Sequence, residues 1–237
     1  DDDGPGMAPF QEFERQFGFR GGQGMQMPQR HQVITGEGSG FFISADGYAV
    51  TNNHVVDHAK SVQVTTDDGT VYTAKVVGTD DKTDLALIKV DGKTDFPFVR
   101  FADQPARVGD WVLAVGNPFG LGGTVTAGIV SARARNIGAT QFDDLIQTDA
   151  SINRGNSGGP LFNMDGDVIG VNTAIYSPTG NSVGIGFSIP SAIASNAVAQ
   201  LRFDARTGRW RRVPVSRSSF CTACGLASRD AETRSVP

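Results

Sequence analysis

Cysteine and long hydrophobic runs are what this sequence has least of. Its 237 residues include two cysteines, Cys221 and Cys224, which lie close together near the end, so no disulfide holds the rest of the chain. No apolar run approaches the roughly 18 residues that a membrane-spanning helix needs. The opening residues, DDDGPGMAPF, lack the basic and then apolar pattern of a signal peptide, so we expect any export signal to lie outside this chain.

Tyrosine, tryptophan and evenly spread positive charge are also scarce. Three tyrosines and two tryptophans stand against 30 glycines and 11 prolines, which favours short strands joined by tight turns over a helical bundle. The net charge of −4 hides an imbalance, because residues 201–237 carry eight arginines and only three acidic residues. The remaining chain is acidic, which argues against a nucleic-acid partner because phosphate contacts need clustered basic side chains.

The pattern of hydrophobic residues predicts an all-β protein built from two barrels. Residues 1–30 are rich in glycine, methionine and phenylalanine and are interpreted as a flexible loop. From QVITGE (residues 32–37) onward, short runs of β-branched and aromatic residues alternate with turn residues. The runs fall into two groups of six, over about 31–95 and 108–190, and predict two packed six-stranded barrels. Residues 190–201, PSAIASNAVAQL, have helical spacing and predict one closing helix.

Residues 201–237 differ in composition from everything before them. They contain arginine in place of lysine, show no clear period and have too little apolar surface to form a core, so we predict a disordered tail. The spacing of Cys221 and Cys224 occurs in zinc knuckles and in redox pairs. Neither a second cysteine pair nor a nearby histidine accompanies them in the sequence, so we predict no metal site.

The strongest local signal is GNSGGP, residues 155–160, which places Ser157 between an asparagine and two glycines. A serine becomes a good nucleophile when a histidine takes its proton and a carboxylate orients that histidine. Among three histidines, His54 follows the strand AVTNN, and a strand end gives a general base rigid support. Asp84 opens the strand DLALIKV, where it either orients His54 or simply caps the strand.

The order His54, Asp84, Ser157 along the chain is one of those in which the Ser-His-Asp triad recurs. Two barrels would carry His54 and Asp84 on the first and Ser157 on the second, so we predict a site in the cleft between them. The N–H groups of Gly155 and Ser157 are the predicted oxyanion-hole donors, because glycine lets the backbone turn both groups toward one point. The alternative interpretation of GNSGGP is an ordinary turn between two strands.

Five stretches carry a resemblance to a known family: TNNHVV, TDLALIKV, GNPFGLGGTVTAGIVS, IQTDASINRGNSGGPLFN and GIGFSIPS. Together they resemble the protease domain of the HtrA/Deg (high-temperature-requirement) family of trypsin-like serine proteases. The resemblance covers about residues 10–200 and sets the protease domain at 31–200. It implies a chymotrypsin-like pair of six-stranded barrels, a triad of His54, Asp84 and Ser157, and no cofactor.

The resemblance also carries expectations about activity and partners. It implies a serine endopeptidase of protein quality control, in the bacterial periplasm or elsewhere outside the cytoplasm, which degrades unfolded or misfolded proteins through an acyl-enzyme. Family members assemble as homotrimers or higher oligomers, so self-association is expected. They also carry a strand before the phenylalanine-rich loop and PDZ domains after the last helix, and neither is recognised in this sequence.

By the same resemblance, Ser151, Ile152, Asn153 and Ile175 form the substrate-binding set. Ser151 stands where relatives that cut after arginine or lysine carry an aspartate. The pocket therefore has no negative charge at this position to pair with a basic side chain of the substrate. With isoleucines lining the pocket, we expect valine or alanine before the cleaved bond, with loose discrimination. Arg135 matches the position from which family members relay an activating signal between protomers, and the alternative is an ordinary solvated arginine.

Two other functions stay open at this point. The chain could act as a chaperone-like holdase that captures misfolded clients with Phe10, Phe13, Phe17 and Phe19 of its aromatic leader. It could also be a catalytically silent truncated product in spite of an intact triad. Both alternatives concern activity and leave the predicted fold unchanged.

Overall fold

The chain folds into twelve strands and two helices within the part that the structure describes. The computed structural model describes residues 37–117, 122–137, 144–177 and 182–202, together with the backbone of 224–227. The first sheet contains β1 (Glu37–Phe42), β2 (Tyr48–Asn52), β3 (Ser61–Thr65), β4 (Val71–Asp80), β5 (Leu85–Val90) and β12 (Cys224–Ala227). The second contains β6 (Trp111–Gly116), β7 (Thr124–Arg135), β8 (Leu145–Thr148), β9 (Pro160–Phe162), β10 (Val168–Ile175) and β11 (Gly186–Pro190). The helices are α1 (Asn53–Val56) and α2 (Ser191–Leu201).

Both sheets close on themselves as barrels. The strand order is β1-β12-β3-β4-β5-β2 in the first barrel and β10-β11-β8-β7-β6-β9 in the second. Two closed six-stranded barrels followed by α2 confirm the predicted all-β architecture with one closing helix. Among the described residues, no helix is long and apolar enough to cross a membrane.

The sixth strand of the first barrel comes from the arginine-rich tail. Strand β12 is antiparallel both to residues 37–40 of β1 and to residues 63–65 of β3, and so fills the gap between them. The structure describes these four residues of the tail as a strand, and the predicted disorder of the tail stays a prediction. Pairing between main chains needs donors and acceptors in register rather than particular side chains, so the composition of the tail gave no sign of a strand.

Several predictions about the ends of the chain fall outside the described residues. These are the flexible loop at 1–30, residues 32–36 of the predicted strand QVITGE, and the rest of the tail at 203–223 and 228–237. The first described strand, β1, instead begins at Glu37 and runs into the predicted strand GFFIS.

Alternation along the strands divides the core into layers. In β1, Phe41 joins the cluster that links the two barrels, while Phe42 packs inside the first barrel. Strand β5 repeats the pattern, with Leu85 and Leu87 between the barrels and Ile88 inside. Successive side chains of a strand point to opposite faces, so a single strand fills one barrel and contacts the other. This explains why β1 and β5 are apolar on both faces.

The connection between the barrels is held by aromatic contacts to the same two phenylalanines. Phe96 stacks on Phe42 with ring centroids 4.4 Å apart. Phe101 meets Phe41 edge to face, with centroids 5.9 Å apart. The closing helix covers the shared cluster with small side chains, namely Ala194, Ala197 and Val198. The two barrels are therefore fixed against each other by a continuous apolar core.

The pairing of β12 can be tested by removing one of its N–H groups. Gly225 lies opposite Ser39 of β1 and Thr65 of β3, and proline at an internal strand position cannot donate to the ladder. We expect Gly225→Pro to lower the free energy of unfolding by on the order of 2 kcal/mol, measured by urea denaturation. The control is Gly225→Ala, which keeps the N–H at the same position and should lower the midpoint less. Equal midpoints for the two variants would contradict the pairing.

Candidate active site

His54 and Asp84 form a close pair on the first barrel. Helix α1 begins directly after β2 and carries His54, while Asp84 directly precedes β5. The Nδ1 atom of His54 lies 2.8 Å from Oδ2 and 3.0 Å from Oδ1 of Asp84. The backbone N–H of His54 also donates to Oδ1, at 3.1 Å. Because the carboxylate faces Nδ1, the Nε2 atom on the far side of the ring is directed away from Asp84.

The backbone at Asp84 is held in an unusual conformation. Its φ angle is +56°, in the left-handed region that costs a residue other than glycine on the order of 1 kcal/mol. Two donors hold its carbonyl oxygen, the side-chain amide of Asn52 at 2.8 Å and the N–H of Asn53 at 3.0 Å. These contacts hold the backbone of Asp84 while its carboxylate bonds His54, an arrangement that favours the orienting role over a simple strand cap.

Thr173 of the second barrel connects this pair to the serine. It lies in β10 and is buried, and its hydroxyl donates to Oδ2 of Asp84 at 2.7 Å. The carbonyl oxygen of the same residue accepts a hydrogen bond from Oγ of Ser157, at 3.4 Å. The sequence analysis missed Thr173. The one available signal was a threonine, next to Asn172, inside the mostly apolar run GVNTAI.

Ser157 lies in a tight loop between β8 and β9. The loop contains two internal hydrogen bonds, from Asn156 N–H to the carbonyl of Asn153 and from Gly159 N–H to the carbonyl of Asn156. Gly158 has a φ angle of +86°, and a Cβ atom there would collide with the carbonyl oxygen of Ser39. Only glycine fits at that position, so Ser157, the predicted nucleophile, is fixed on its C-terminal side.

The predicted oxyanion-hole donors have suitable surroundings. Gly155 is buried and has a φ angle of +97°, a conformation that glycine adopts without strain. Within the described part of the chain, neither the Gly155 N–H nor the Ser157 N–H donates a hydrogen bond. Both groups are therefore available to a ligand oxygen, as an oxyanion hole requires.

The structure brings two of the four predicted substrate-binding residues into one apolar cluster. Ile152 is buried there and Ile175 packs against its edge. A Cβ atom on Gly186 would lie 2.9 Å from Ile152 Cδ1, so the absence of a side chain at 186 leaves the room that Ile152 occupies. Ser151 is exposed, and its carbonyl oxygen accepts a hydrogen bond from Thr126 at 2.8 Å.

The other predicted residues have defined contacts as well. The side-chain oxygen of Asn153 accepts a hydrogen bond from the N–H of Ser182 at 3.2 Å. Arg135 is exposed and donates from Nε to the side-chain oxygen of Gln147 at 3.0 Å. It follows Ala134, whose φ angle of +54° marks an irregularity in the β7–β8 pairing. The relay role of Arg135 stays a prediction.

The remaining predictions about sites lie mostly outside the described residues. This holds for the leader phenylalanines, and for Cys221 of the cysteine pair. Among the described residues, no three His, Cys, Asp or Glu side chains are grouped so that they could hold a metal ion.

Comparison with known proteins defines the class. Residues 38–171 match the model of the family described as trypsin-like peptidase domain, and the chain belongs to that family. Two solved structures share its fold. One is the HtrA-type protease AlgW with a decapeptide, at 48% identity and a TM-score of 0.66, covering 69% of this chain and 51% of that one. The other is a serine endoprotease from Yersinia pestis, at 42% identity and a TM-score of 0.62, covering 73% and 58%.

Curated relatives narrow the class further. A protein of Rhizobium meliloti (strain 1021) named "Probable periplasmic serine endoprotease DegP-like" is 58% identical over 181 residues, which are 76% of this chain and 36% of the relative. A protein of the same name from Bartonella henselae is 62% identical over 165 residues, which are 69% of this chain and 33% of the relative. The chain thus spans about a third of the length of these relatives. It is a protease domain of the HtrA/Deg type.

The role of Thr173 can be tested by removing its hydroxyl. Thr173→Val keeps the shape of the side chain but deprives Oδ2 of Asp84 of a donor. A hydrogen bond to a charged group contributes about 1.5–3 kcal/mol, so we expect kcat for a peptide substrate to fall by about 10- to 100-fold. Thr173→Ser retains the hydroxyl and should stay within about threefold of the wild type. Equal losses in the two variants would show that the methyl group matters, and not the hydrogen bond.

Proposed function

We propose that this chain is the catalytic domain of a serine endopeptidase, with Ser157 as nucleophile, His54 as general base and Asp84 as the carboxylate that orients it. One observation carries the proposal. The His54–Asp84 pair, closed at 2.8 Å on the first barrel, shares Thr173 with the serine of the second barrel. An ordinary turn serine or a strand-capping aspartate would not need this arrangement.

The proposed mechanism follows from the roles of these groups. Nε2 of His54 takes the proton of Ser157 as the hydroxyl oxygen attacks the carbonyl carbon of the peptide bond. Asp84 fixes the imidazole tautomer and stabilises the imidazolium that forms. The N–H groups of Gly155 and Ser157 stabilise the oxyanion of the tetrahedral intermediate. The imidazolium then gives its proton to the leaving amine, and water releases the acyl group from Ser157 by the same steps.

The substrates we propose are unfolded or misfolded polypeptides, in the manner of protein quality control. A cleft between two rigid barrels accepts a peptide in extended form, which a folded protein seldom presents. The relatives from Rhizobium meliloti and Bartonella henselae are named periplasmic, and an extracytoplasmic location is proposed here on that basis.

We further propose that the chain self-associates, as a homotrimer or a higher oligomer. Val108 and Trp111 are each 63% exposed, and Met164 is 69% exposed. The pairing of Leu113 with Phe162 brings Trp111 and Met164 to the same end of the second barrel. Large apolar side chains grouped at a surface are typical of contacts between proteins. Arg135 would transmit the state of a neighbouring protomer to the loops beside the site.

The proposed nucleophile is tested by its removal. Ser157→Ala leaves His54 without a hydroxyl to activate, so we expect cleavage of fluorescently labelled casein to fall by at least about 10⁴-fold. Ser61→Ala, in β3 of the first barrel, makes the same chemical change away from the cleft and should retain activity. Labelling by a fluorophosphonate probe should likewise be lost only in Ser157→Ala. Undiminished cleavage by that variant would contradict the assignment, and absence of labelling in the wild type would favour the silent-product alternative.

The proposed pocket is tested with peptides that differ only in the residue before the cleaved bond. We expect kcat/KM for valine or alanine to exceed that for arginine by about 10-fold or more, because a buried unpaired charge is unfavourable among isoleucines. Ile175→Ala, which widens the pocket at its edge, should shift the preference from valine toward leucine. A wild-type preference for arginine, or no shift in the variant, would contradict the pocket.

A further inference from the structure

Every polar group of Ser39 is hydrogen-bonded, and two of its bonds join the first barrel to the loop of the proposed nucleophile. It lies in β1 and is fully buried. Its N–H donates to the carbonyl oxygen of Ser157 at 2.7 Å, and its hydroxyl donates to the carbonyl oxygen of Gly155 at 2.6 Å. The hydroxyl oxygen accepts from Asn117 N–H at 2.8 Å, and the Ser39 carbonyl accepts from Thr51 at 2.7 Å.

The direction of the hydroxyl bond is fixed by its two partners. A serine hydroxyl carries one proton. The N–H of Asn117 can only donate and the carbonyl of Gly155 can only accept, so the proton of Ser39 must point at Gly155. The Asn117 side chain in turn accepts from Gly122 N–H at 2.8 Å, so the loop that follows β6 helps to hold Asn117 in place.

We propose that Ser39 is a positioning residue that sets the orientation of the oxyanion hole. This inference rests on the proposed function. The two carbonyls that Ser39 holds belong to Gly155 and Ser157, the same two residues whose N–H groups form the proposed hole. Ser39 thus restrains the backbone of both Gly155 and Ser157 through their carbonyl groups.

The side chain of Ser39 matters most at Gly155. With no Cβ, glycine rotates more freely than any other residue. A fixed carbonyl at Gly155 fixes the peptide between Gly155 and Asn156. Any remaining rotation is confined to the peptide that precedes Gly155 and carries its N–H. Without the Ser39 hydroxyl, the peptide between Gly155 and Asn156 keeps only the hydrogen bond from Asn156 N–H to the carbonyl of Asn153, at 3.0 Å. Both peptides flanking Gly155 then turn more readily, and the Gly155 N–H points at the oxyanion for a smaller share of the time.

The experiment compares turnover with affinity for a tetrahedral adduct in the full chain. We expect Ser39→Ala to lower kcat by about 10- to 100-fold while KM changes by less than about twofold, because the hole acts on the transition state and not on the bound substrate. Binding of a peptide aldehyde, which forms a tetrahedral adduct with Ser157, should weaken by the same factor as kcat. Binding of the corresponding cleaved product peptide should not change.

Two further variants separate positioning from loss of structure. Ser191→Ala is the matched control, because Ser191 is also buried and its hydroxyl also donates to a main-chain carbonyl, that of Ala102 at 3.3 Å, away from the nucleophile loop. It should lower the thermal midpoint without lowering kcat. Ser39→Cys keeps a weak donor and should give a kcat between those of the wild type and Ser39→Ala. It also supplies the test if Ser39→Ala does not fold.

The results that would overturn the inference are distinct from failure of the proposed function. Wild-type kcat in Ser39→Ala, an equal loss of kcat in Ser191→Ala, or unchanged aldehyde affinity would each reject the positioning role. Where Ser39→Cys supplies the test, wild-type kcat in that variant would reject it too. Ser157→Ala is measured in parallel. If it retains turnover, or if the wild type has none, the proposed function itself has failed.

Discussion

The candidate site depends on the fixed contact between the two barrels. His54 and Asp84 belong to one barrel and Ser157 to the other, so a small shift between the barrels would separate the proposed base from the proposed nucleophile. The contact is apolar at its centre, where Phe41, Leu85 and Leu87 of the first barrel join β10, β11 and α2. Apolar packing is dense but has little directional preference. Burial therefore brings the barrels together, and directional bonds must set the final geometry.

Those directional bonds are reciprocal. Thr173 of the second barrel donates to the carboxylate of Asp84 on the first, at 2.7 Å. Ser39 of the first barrel donates to the carbonyl of Gly155 on the second, at 2.6 Å. Each barrel thus supplies a buried hydroxyl that completes the machinery carried by the other. Buried hydrogen bonds are costly to leave unmade. The relative position of the barrels that forms both hydrogen bonds is therefore favoured over slightly shifted positions that break one of them.

The sequence predicted the parts of this arrangement that have a period or a motif. Runs of apolar residues predicted the barrels and α2, and GNSGGP with its upstream partners predicted the candidate triad. It did not predict Thr173 or Ser39, because a single hydroxyl within a strand has no distinguishing neighbours until the fold shows what it faces. Strand β12 was missed for another reason. Main-chain pairing with β1 and β3 depends on an available edge and hardly on composition.

The two glycines that flank the nucleophile differ in their physical roles, and the difference locates the freedom of the loop. Gly158 is required by sterics, since a Cβ there would meet Ser39, and it makes the loop rigid after Ser157. Among the described residues, Gly155 has a hydrogen-bond partner at its carbonyl but none at its N–H. A rearrangement of the oxyanion hole must therefore enter through the residues before Gly155. There, Ser151 is bonded to Thr126 and Asn153 to Ser182, so those two neighbouring segments are the ones most directly coupled to the proposed oxyanion hole.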